Sequence, residues 1–123
     1  MNAIHTSNDD KEYLHKQPKI VMRDDILYSI NETEKTANIF ADSARGDIFI
    51  PRTIKYKTHE YVVTKILKGS FYNSFVKSIK FPSDSELKTI EENSFDNSKL
   101  ASITLPPSVS ELTEGWCCET EKL

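Results

Sequence analysis

The side chains that could do chemistry are few and widely scattered along the 123 residues. The three histidines, His5, His15 and His59, lack the spacing of a metal site, so the pattern predicts no metal centre. Cys117 and Cys118 are adjacent, and the chain has no other cysteine. Adjacent cysteines cannot close an ordinary loop, which excludes a disulfide-stapled fold and leaves intermolecular pairing or a reduced thiol open.

A nucleophilic pair of Cys118 and His59 is one interpretation of these residues. A third group would have to orient the histidine, and no Asn, Asp or recognisable motif supports that role. We therefore expect Cys117 to be a small core residue and Cys118 to lie at the surface or at a repeat edge. The sequence predicts no enzyme.

The acidic residues near the middle of the chain are a second group to consider. Asp84, Glu86, Glu91 and Glu92 suggest a calcium site or paired carboxylates, but they lack the spacing and the turn glycine of an EF-hand loop. A solvated acidic face is the simpler expectation. The three glycines are far apart, which excludes a phosphate-cradling loop. We expect no catalytic residue, no metal and no cofactor.

Charge is distributed unevenly around a net value of −3. Residues 45–80 carry a formal +6, and residues 81–123 a formal −6. A basic patch for nucleic acid or anionic glycans is one interpretation of the middle segment. No aromatic-and-glycine nucleic-acid motif accompanies its lysines, so we expect solvated faces of successive layers and no nucleic-acid partner.

Targeting signals are absent from the sequence as it stands. No stretch reaches the roughly 18 consecutive apolar residues of a membrane span. Met1 is followed by polar residues rather than by the apolar region of a secretory signal. The sequence therefore predicts no membrane span and leaves the compartment open.

The strongest pattern is a repeat. Residues 70–82, "SFYNSFVKSIKFP", recur at 94–106 as "SFDNSKLASITLP". Six positions keep a constant shift of 24 residues: Ile66/Ile90, Phe71/Phe95, Val76/Leu100, Ile79/Ile103, Phe81/Leu105 and Pro82/Pro106. A third partial copy places Cys117 where the phenylalanine stood, and "IFIPRTI" at 48–54 is an earlier fragment. Such a period is typical of stacked repeats.

The sequence of each repeat copy predicts the strands and turns that would position these residues. "VKSIKF" and "LASITL" alternate like half-buried strands, with one extra residue at a bend, and Pro82 and Pro106 end them. Ser and Asn on both sides of Phe71 and Phe95 predict a helical turn or a tight bend that directs each ring inward. Stacked copies would form a short parallel sheet and a continuous ridge of phenylalanines.

Two hairpins are predicted before the repeats. "IKYKTHEYVV" and "ILYSINETEKTANIF" both alternate around a polar turn, and we expect them to cap the first end of the stack. Residues 1–25 have few apolar side chains and no period, so we expect them to be loosely ordered. The last repeat is incomplete at Leu123. We expect the chain to be a piece of a longer array, whose uncapped C-terminal edge would allow self-association.

The pattern resembles the BspA-like subclass of leucine-rich repeats, over residues 26–123. "ANIF…GDIFIPRTI…YVVTKI" is similar to the opening unit of such proteins. The resemblance implies a right-handed, β-rich repeat solenoid of leucine-rich-repeat type, with short parallel strands, short helical turns and an N-terminal β-hairpin capping region. Residues 1–25 would be a loosely ordered segment. Residues 26–123 would be the repeat domain, with the hairpin cap at about 26–65 and the repeats at about 66–123.

The resemblance also implies a function. The subclass is known from bacterial and protist surface antigens, which are not enzymes, and it implies attachment to host proteins, other cells or matrix. We expect a protein or glycan partner, with cell-surface or extracellular localisation implied by the resemblance alone. Alternation places one row of side chains outward across neighbouring strands as candidate partner contacts: Phe49, Ser78, Lys80, Ser102 and Thr104.

Two other functions are compatible with the same fold. The chain could be a structural or scaffold segment of a longer array, in which the oppositely charged halves help units to meet end to end. It could also be an intracellular protein-interaction adaptor, which the missing signal peptide permits. Both alternatives share the stacked architecture and differ in what the strand face does.

Overall fold

The computed structural model describes residues 19–117. They form ten β-strands joined by turns. In chain order the strands are β1 Lys19–Arg23, β2 Ile26–Asn31, β3 Thr36–Asp42, β4 Arg45–Phe49, β5 Thr53–Tyr56, β6 His59–Ile66, β7 Phe75–Lys80, β8 Thr89–Ile90, β9 Ser102–Ile103 and β10 Glu111–Leu112. The larger sheet contains seven strands in the order β1-β2-β3-β6-β8-β10, with β5 also paired to β6, and the smaller sheet has the order β4-β7-β9.

Strands β1 to β3 form an antiparallel meander at the amino-terminal end of the larger sheet. β2 and β3 are the hairpin that the alternation at 26–40 predicts. The Asn31 side chain holds its turn, since its Oδ1 accepts hydrogen bonds from the backbone N–H groups of Thr33 at 3.0 Å and Glu34 at 2.9 Å. Tyr28 is fully buried, and this burial, with Asp24 as a second cause, raises its pKa to about 12.

The expectation that residues 1–25 are loosely ordered is wrong for β1 and the turn that follows it. Val21 of β1 is buried, and Asp24 and Asp25 form a two-residue turn with φ angles of 51° and 65°. Positive φ at both positions matches the right-handed twist of a hairpin. A single buried side chain is a weak sequence signal, which is why the alternation was missed. Residues 1–18 lie outside the described residues.

The second predicted hairpin consists of β5 and β6. Its turn is Lys57–Thr58, with Lys57 at a φ of 58°, and Tyr56 pairs with His59 across it. Beyond the hairpin, β6 continues and pairs in parallel with both β3 and β8. The insertion therefore leads directly into the stack of repeats.

The repeats form two parallel stacks, and the 24-residue shift is their structural period. In the smaller sheet Ser78 pairs with Ser102, and in the larger sheet Ile66 pairs with Ile90. The bend at the strand entry is also present, because the β4–β7 register shifts at Lys77. The chain therefore has a strand-rich repeat fold with parallel strands.

The corner between the two stacks is built from turns, and the expected helical turns are absent from residues 19–117. Backbone N–H groups donate three residues back in each corner, for example from Ser70 to Leu67 at 3.1 Å and from Ser94 to Glu91 at 3.3 Å. Gly69 and Asn93 occupy the same corner position, with φ angles of 71° and 57°. A left-handed residue ends each short turn before a helix can propagate.

The phenylalanines form the ridge that the repeat predicts. Phe71 and Phe95 are fully buried, and their rings stack at a centroid distance of 5.0 Å with 10° between the planes. Trp116 meets Phe95 edge-on at 5.9 Å. The Trp116 N–H donates a turn hydrogen bond three residues back, to Thr113, as the N–H groups of Ser70 and Ser94 do in their corners. Cys117 therefore follows at the phenylalanine position, where it is half-buried against the core. The indole of Trp116 therefore continues the aromatic contact in the third layer.

Ser and Asn of the repeat bind one layer to the next. The Ser70 hydroxyl donates to the Ile39 carbonyl at 2.9 Å, and the Ser94 hydroxyl donates to Leu67 at 3.2 Å. Asn97 donates its side-chain amide to the Asn73 side-chain oxygen. Each of these bonds joins a side chain of one layer to the backbone or a side chain of the preceding layer.

Candidate binding face

The outward face of the β4–β7–β9 sheet, called here the strand face, is built by simple alternation. Ile48, Ile79 and Ile103 pack toward the core, and Ile79 is fully buried. Their neighbours along each strand point to the other side of the sheet. The proline segments after the strands prevent these short strands from continuing.

The residues predicted for this face lie on it in two rows rather than one. Phe49 is in register with Lys80, while Ser78 is in register with Ser102. The predicted single row is wrong because Ser78 and Lys80 are successive outward positions of the same strand. Phe49 is 56 % exposed, and Lys80 and Ser102 are exposed as well.

Thr104 lies just beyond the end of β9. It is exposed, and with Lys80 it lines a groove of about 330 Å³ whose other walls are mainly the two proline segments. This groove is at the carboxyl end of the parallel strands. The Phe49–Lys80 row therefore leads into an apolar groove.

Asp47 belongs to the face and was missed in the sequence. It pairs with Ser78, and the Ser78 hydroxyl donates a hydrogen bond to Asp47 Oδ1 at 2.5 Å. Asp47 precedes Phe49 by two residues, so the alternation that selected Phe49 was the available signal. With Ser102, these residues give a polar row beside the Phe49–Lys80 row, along a shallow depression of about 410 Å³.

A second groove, of about 300 Å³, lies at the amino end of the face. The Arg45 guanidinium sits 5.0 Å from the centroid of the Phe75 ring, and Phe75 is 54 % exposed. Burial raises the pKa of Asp42, and hydrogen bonds from the Ser74 hydroxyl at 3.0 Å and from the Ala44 backbone partly oppose this rise. This end of the face combines aromatic, cationic and carboxylate groups.

Of the residues first considered for catalysis, the structure describes His59 and Cys117. His59 is exposed, and its Nδ1 lies 3.3 Å from the Thr58 hydroxyl. Cys118 lies outside the described residues, so its expected place at the surface or at a repeat edge stays a prediction. Within the described part of the chain, no three His, Cys, Asp or Glu side chains are grouped to hold a metal ion.

Two of the acidic residues considered for calcium form ion pairs with basic side chains. Glu86 forms an ion pair with Arg52, and Glu92 pairs with Lys68 at 3.2 Å. Both pairs join the basic middle segment to the acidic segment that follows it. Because they are exposed, each contributes little to stability, about 0 to 1 kcal/mol. The opposite charges of the two segments thus meet between layers.

Among residues 19–117, no helix is long and apolar enough to cross a membrane.

Parallel strands, a 24-residue layer and an aromatic ridge define a protein of leucine-rich-repeat type. Residues 38–123 match the model of the BspA type leucine rich repeat region (6 copies). The chain belongs to this family, as the pattern of the sequence predicts. No curated protein matches the chain.

Solved structures show the same architecture. A leucine-rich repeat protein from Bacteroides ovatus is 29% identical, with a TM-score of 0.62, over 72% of this chain and 24% of that one. A leucine-rich cell surface protein from Faecalibacterium prausnitzii is 21% identical, with a TM-score of 0.62, over 79% of this chain and 27% of that one. The pneumococcal vaccine antigen PcpA is 20% identical, with a TM-score of 0.53, over 80% of this chain and 35% of that one. The chain spans about a quarter of the length of the first two.

Proposed function

We propose that the chain is a non-enzymatic recognition module that binds a protein or glycan partner through the strand face. The leucine-rich repeat family is generally non-enzymatic. The Faecalibacterium protein is described as a cell surface protein and the pneumococcal one as a vaccine antigen, which supports an extracellular setting. The partner would meet the side chains that differ between repeats, since the shared ones are used for stacking.

The observation that carries this proposal is the Phe49–Lys80 row. An aromatic ring that is 56 % exposed stands in register with a lysine on the adjacent strand. Aromatic side chains gain most from burial against a partner, and they lose little conformational entropy when they are held there. The neighbouring polar row offers hydroxyl donors and one carboxylate. The face therefore suits a partner with both apolar and polar groups.

The test uses the labelled 123-residue chain on a printed glycan array and on a panel of immobilised extracellular-matrix proteins. The double variant Phe49→Ala with Lys80→Ala should weaken binding at least about tenfold, as is typical when an interface loses a central aromatic side chain. The matched control, Met22→Ala with Lys65→Ala, removes an apolar side chain and a lysine from the larger sheet and should bind normally.

Binding that survives the Phe49 and Lys80 double variant, with the fold intact by circular dichroism, would place the partner elsewhere. Equal losses in the test and control variants would also contradict a role for this face. Absence of binding to both panels would remove the matrix and glycan classes that they contain.

A second candidate function is that of a segment in a longer repeat array. Backbone bonds between layers continue into the third layer, where Phe95 N–H donates to Trp116 at 2.9 Å. If copies associate end to end through opposite charges, sedimentation velocity should show association at low salt that is lost at high salt. Association that does not change with salt would exclude the electrostatic version of this function.

A further inference from the structure

The first strand of the smaller sheet has an open edge. β7 pairs with one side of β4, and no described strand pairs with the other. Ile50 donates its backbone N–H to the Lys80 carbonyl at 2.9 Å, which fixes the side that faces β7. Because successive residues of a strand direct their backbone groups to opposite sides, the N–H and C=O groups of Asp47 and Phe49 point to the open side.

A groove of about 310 Å³ runs along this edge, between β4 and the turn that joins β1 to β2. The backbone of that turn is held near the start of β4, where Ser43 N–H donates to the Asp25 carbonyl at 2.8 Å. The groove is lined by two carboxylates and four apolar residues: Asp24, Asp47, Ile26, Ile48, Phe49 and Pro51. It contains no lysine or arginine, so its charge is negative.

The outer edge of β1 makes a useful contrast. Its five residues include Lys19 and Arg23, and cations on an edge strand discourage pairing with another strand. The Arg23 side chain also donates to the Lys55 carbonyl at 2.7 Å. On β4 the one cation, Arg45, lies over the Phe75 ring of β7, and the groove beside the strand is lined by carboxylates and an exposed aromatic ring. Of these two edges, that of β4 is the one suited to a cationic strand.

We infer that the open edge of β4 binds an extended segment of a partner protein as an added strand, and that this segment alternates apolar and cationic residues. Its backbone pairs with Asp47 and Phe49, its inward side chains contact Ile48, and a lysine or arginine lies near the carboxylates. The inference rests on the proposed function, because Phe49 belongs to both surfaces. It adds the binding mode and the chemistry of the partner.

The first test is amide hydrogen exchange of the full chain, followed by NMR. Without peptide, the amides of Asp47 and Phe49 should exchange rapidly, whereas those of Ile48 and Ile50 should be protected by β7. The probe is an acetylated and amidated nine-residue peptide of alternating lysine and valine. On its addition the first two amides should become protected. Protection of Asp47 and Phe49 before peptide is added would show an edge already occupied and would overturn the inference.

The second test measures peptide affinity by fluorescence anisotropy for two variants at one position. Phe49→Ala removes the ring and keeps the edge N–H, whereas Phe49→Pro removes both and leaves the ladder to β7 in place. Loss of an edge hydrogen bond should make the proline variant bind about three- to tenfold more weakly than the alanine variant. Equal affinities, with Ile50 still protected from exchange, would overturn strand addition.

Charge is tested with the same peptide and with a glutamate–valine peptide of equal length. Asp24→Asn with Asp47→Asn should weaken the lysine peptide about threefold at low salt and much less at high salt. The glutamate peptide should bind weakly or not at all. Equal binding of both peptides, or no binding of the lysine peptide, would overturn the assignment.

The variant Lys80→Ala separates this inference from the proposed function. Lys80 lies on the strand face and does not line the edge groove, so it should not affect the lysine peptide. If the Phe49 and Lys80 double variant loses its array partner while the peptide shows no dependence on the β4 edge, only the inference fails. If the peptide results hold and the array results do not, only the proposed function fails.

Discussion

The turn corners and the strand face of the same repeats differ in how they use equivalent positions. In the corners Phe71 and Phe95 recur as buried, stacked rings, and Ser70 and Ser94 recur as buried hydroxyls. On the strand face, equivalent outward positions carry an aromatic ring in β4, a lysine in β7 and a threonine after β9. All three are exposed. Equivalent corner positions therefore keep the same side chain from one repeat to the next, whereas equivalent positions of the strand face differ.

This difference separates stability from recognition within one layer. A corner side chain loses buried apolar area and hydrogen bonds when it is changed, whereas a face side chain is already largely in water. Stability therefore limits which residues are allowed in the corners. On the strand face it places little limit on the residues, which can vary to suit a partner. Changes in the corners should alter unfolding, and changes on the face should alter binding.

Phe95→Ala should have the largest effect on stability. The side chain is 1 % exposed and packs between Phe71 and Trp116, so its loss leaves a cavity in the ridge and should cost about 3–5 kcal/mol. Urea unfolding followed by circular dichroism would measure this. The control Phe49→Ala, on the strand face, should change the free energy of unfolding by less than about 0.5 kcal/mol. Similar losses for the two variants would contradict the division between corner and face.

Ser94→Ala should have a smaller effect. The hydroxyl is fully buried and donates to the Glu91 carbonyl at 2.6 Å and to the Leu67 carbonyl of the preceding layer. Its removal should cost about 1–2 kcal/mol. The same change at the exposed Ser102 should be close to neutral in urea unfolding. If Ser102→Ala were the more costly of the two, the hydroxyls of the corner would not be joining the layers.

Gly69→Ala should cost about 1 kcal/mol, because an alanine would be strained at a φ of +71°. A Cβ at this position would meet no atom within 4 Å, so backbone conformation is the whole effect. Gly69→Asn is the matched variant, since Asn93 occupies the next corner with a φ of 57°. In thermal unfolding the natural chain with glycine should have the highest midpoint temperature, the asparagine variant the next and the alanine variant the lowest. An alanine variant as stable as the asparagine variant would contradict the strain.

The stacking of layers could be predicted from the sequence because Phe71 and Phe95 stand at a constant shift with every neighbouring apolar position. The corner conformation could not, since Ser and Asn favour helical ends and turns alike. The equivalence of Gly69 and Asn93 was the available signal for a left-handed residue. β1 was missed because one buried valine in a polar segment does not establish alternation.

The residues that lie on the strand face could be predicted from the sequence, but their arrangement across the strands could not. Alternation along each strand directs Phe49 and Lys80 outward, but which residues become neighbours depends on register between strands. The extra residue Lys77 shifts the register within β7, so that Asp47 meets Ser78 and Phe49 meets Lys80. The open edge of β4 is equally invisible in the sequence, since it depends on where each sheet ends: the larger sheet continues beyond β3 to β2 and β1, whereas the smaller sheet ends at β4.

The smallest expected effect lies where the corner meets the strand face, at Asp42. Burial raises the pKa of its carboxyl in the folded chain above the unfolded value, so the folded state holds the proton more tightly. At neutral pH the ionised carboxylate therefore detracts from stability, and this cost is relieved as the pH falls through the folded pKa toward the unfolded one.

The variant Asp42→Asn tests this effect. Asn keeps an oxygen that can accept the hydrogen bond from the Ser74 hydroxyl, and its side chain cannot ionise. The stability of Asp42→Asn relative to the natural chain should thus increase as the pH rises from about 4 to 7, the range above the ordinary carboxyl pKa. Urea midpoints across this range would measure the difference. A relative stability that decreases with rising pH would mean that the hydrogen bonds from Ser74 and Ala44 outweigh burial, and Asp42 would then stabilise the corner as a carboxylate.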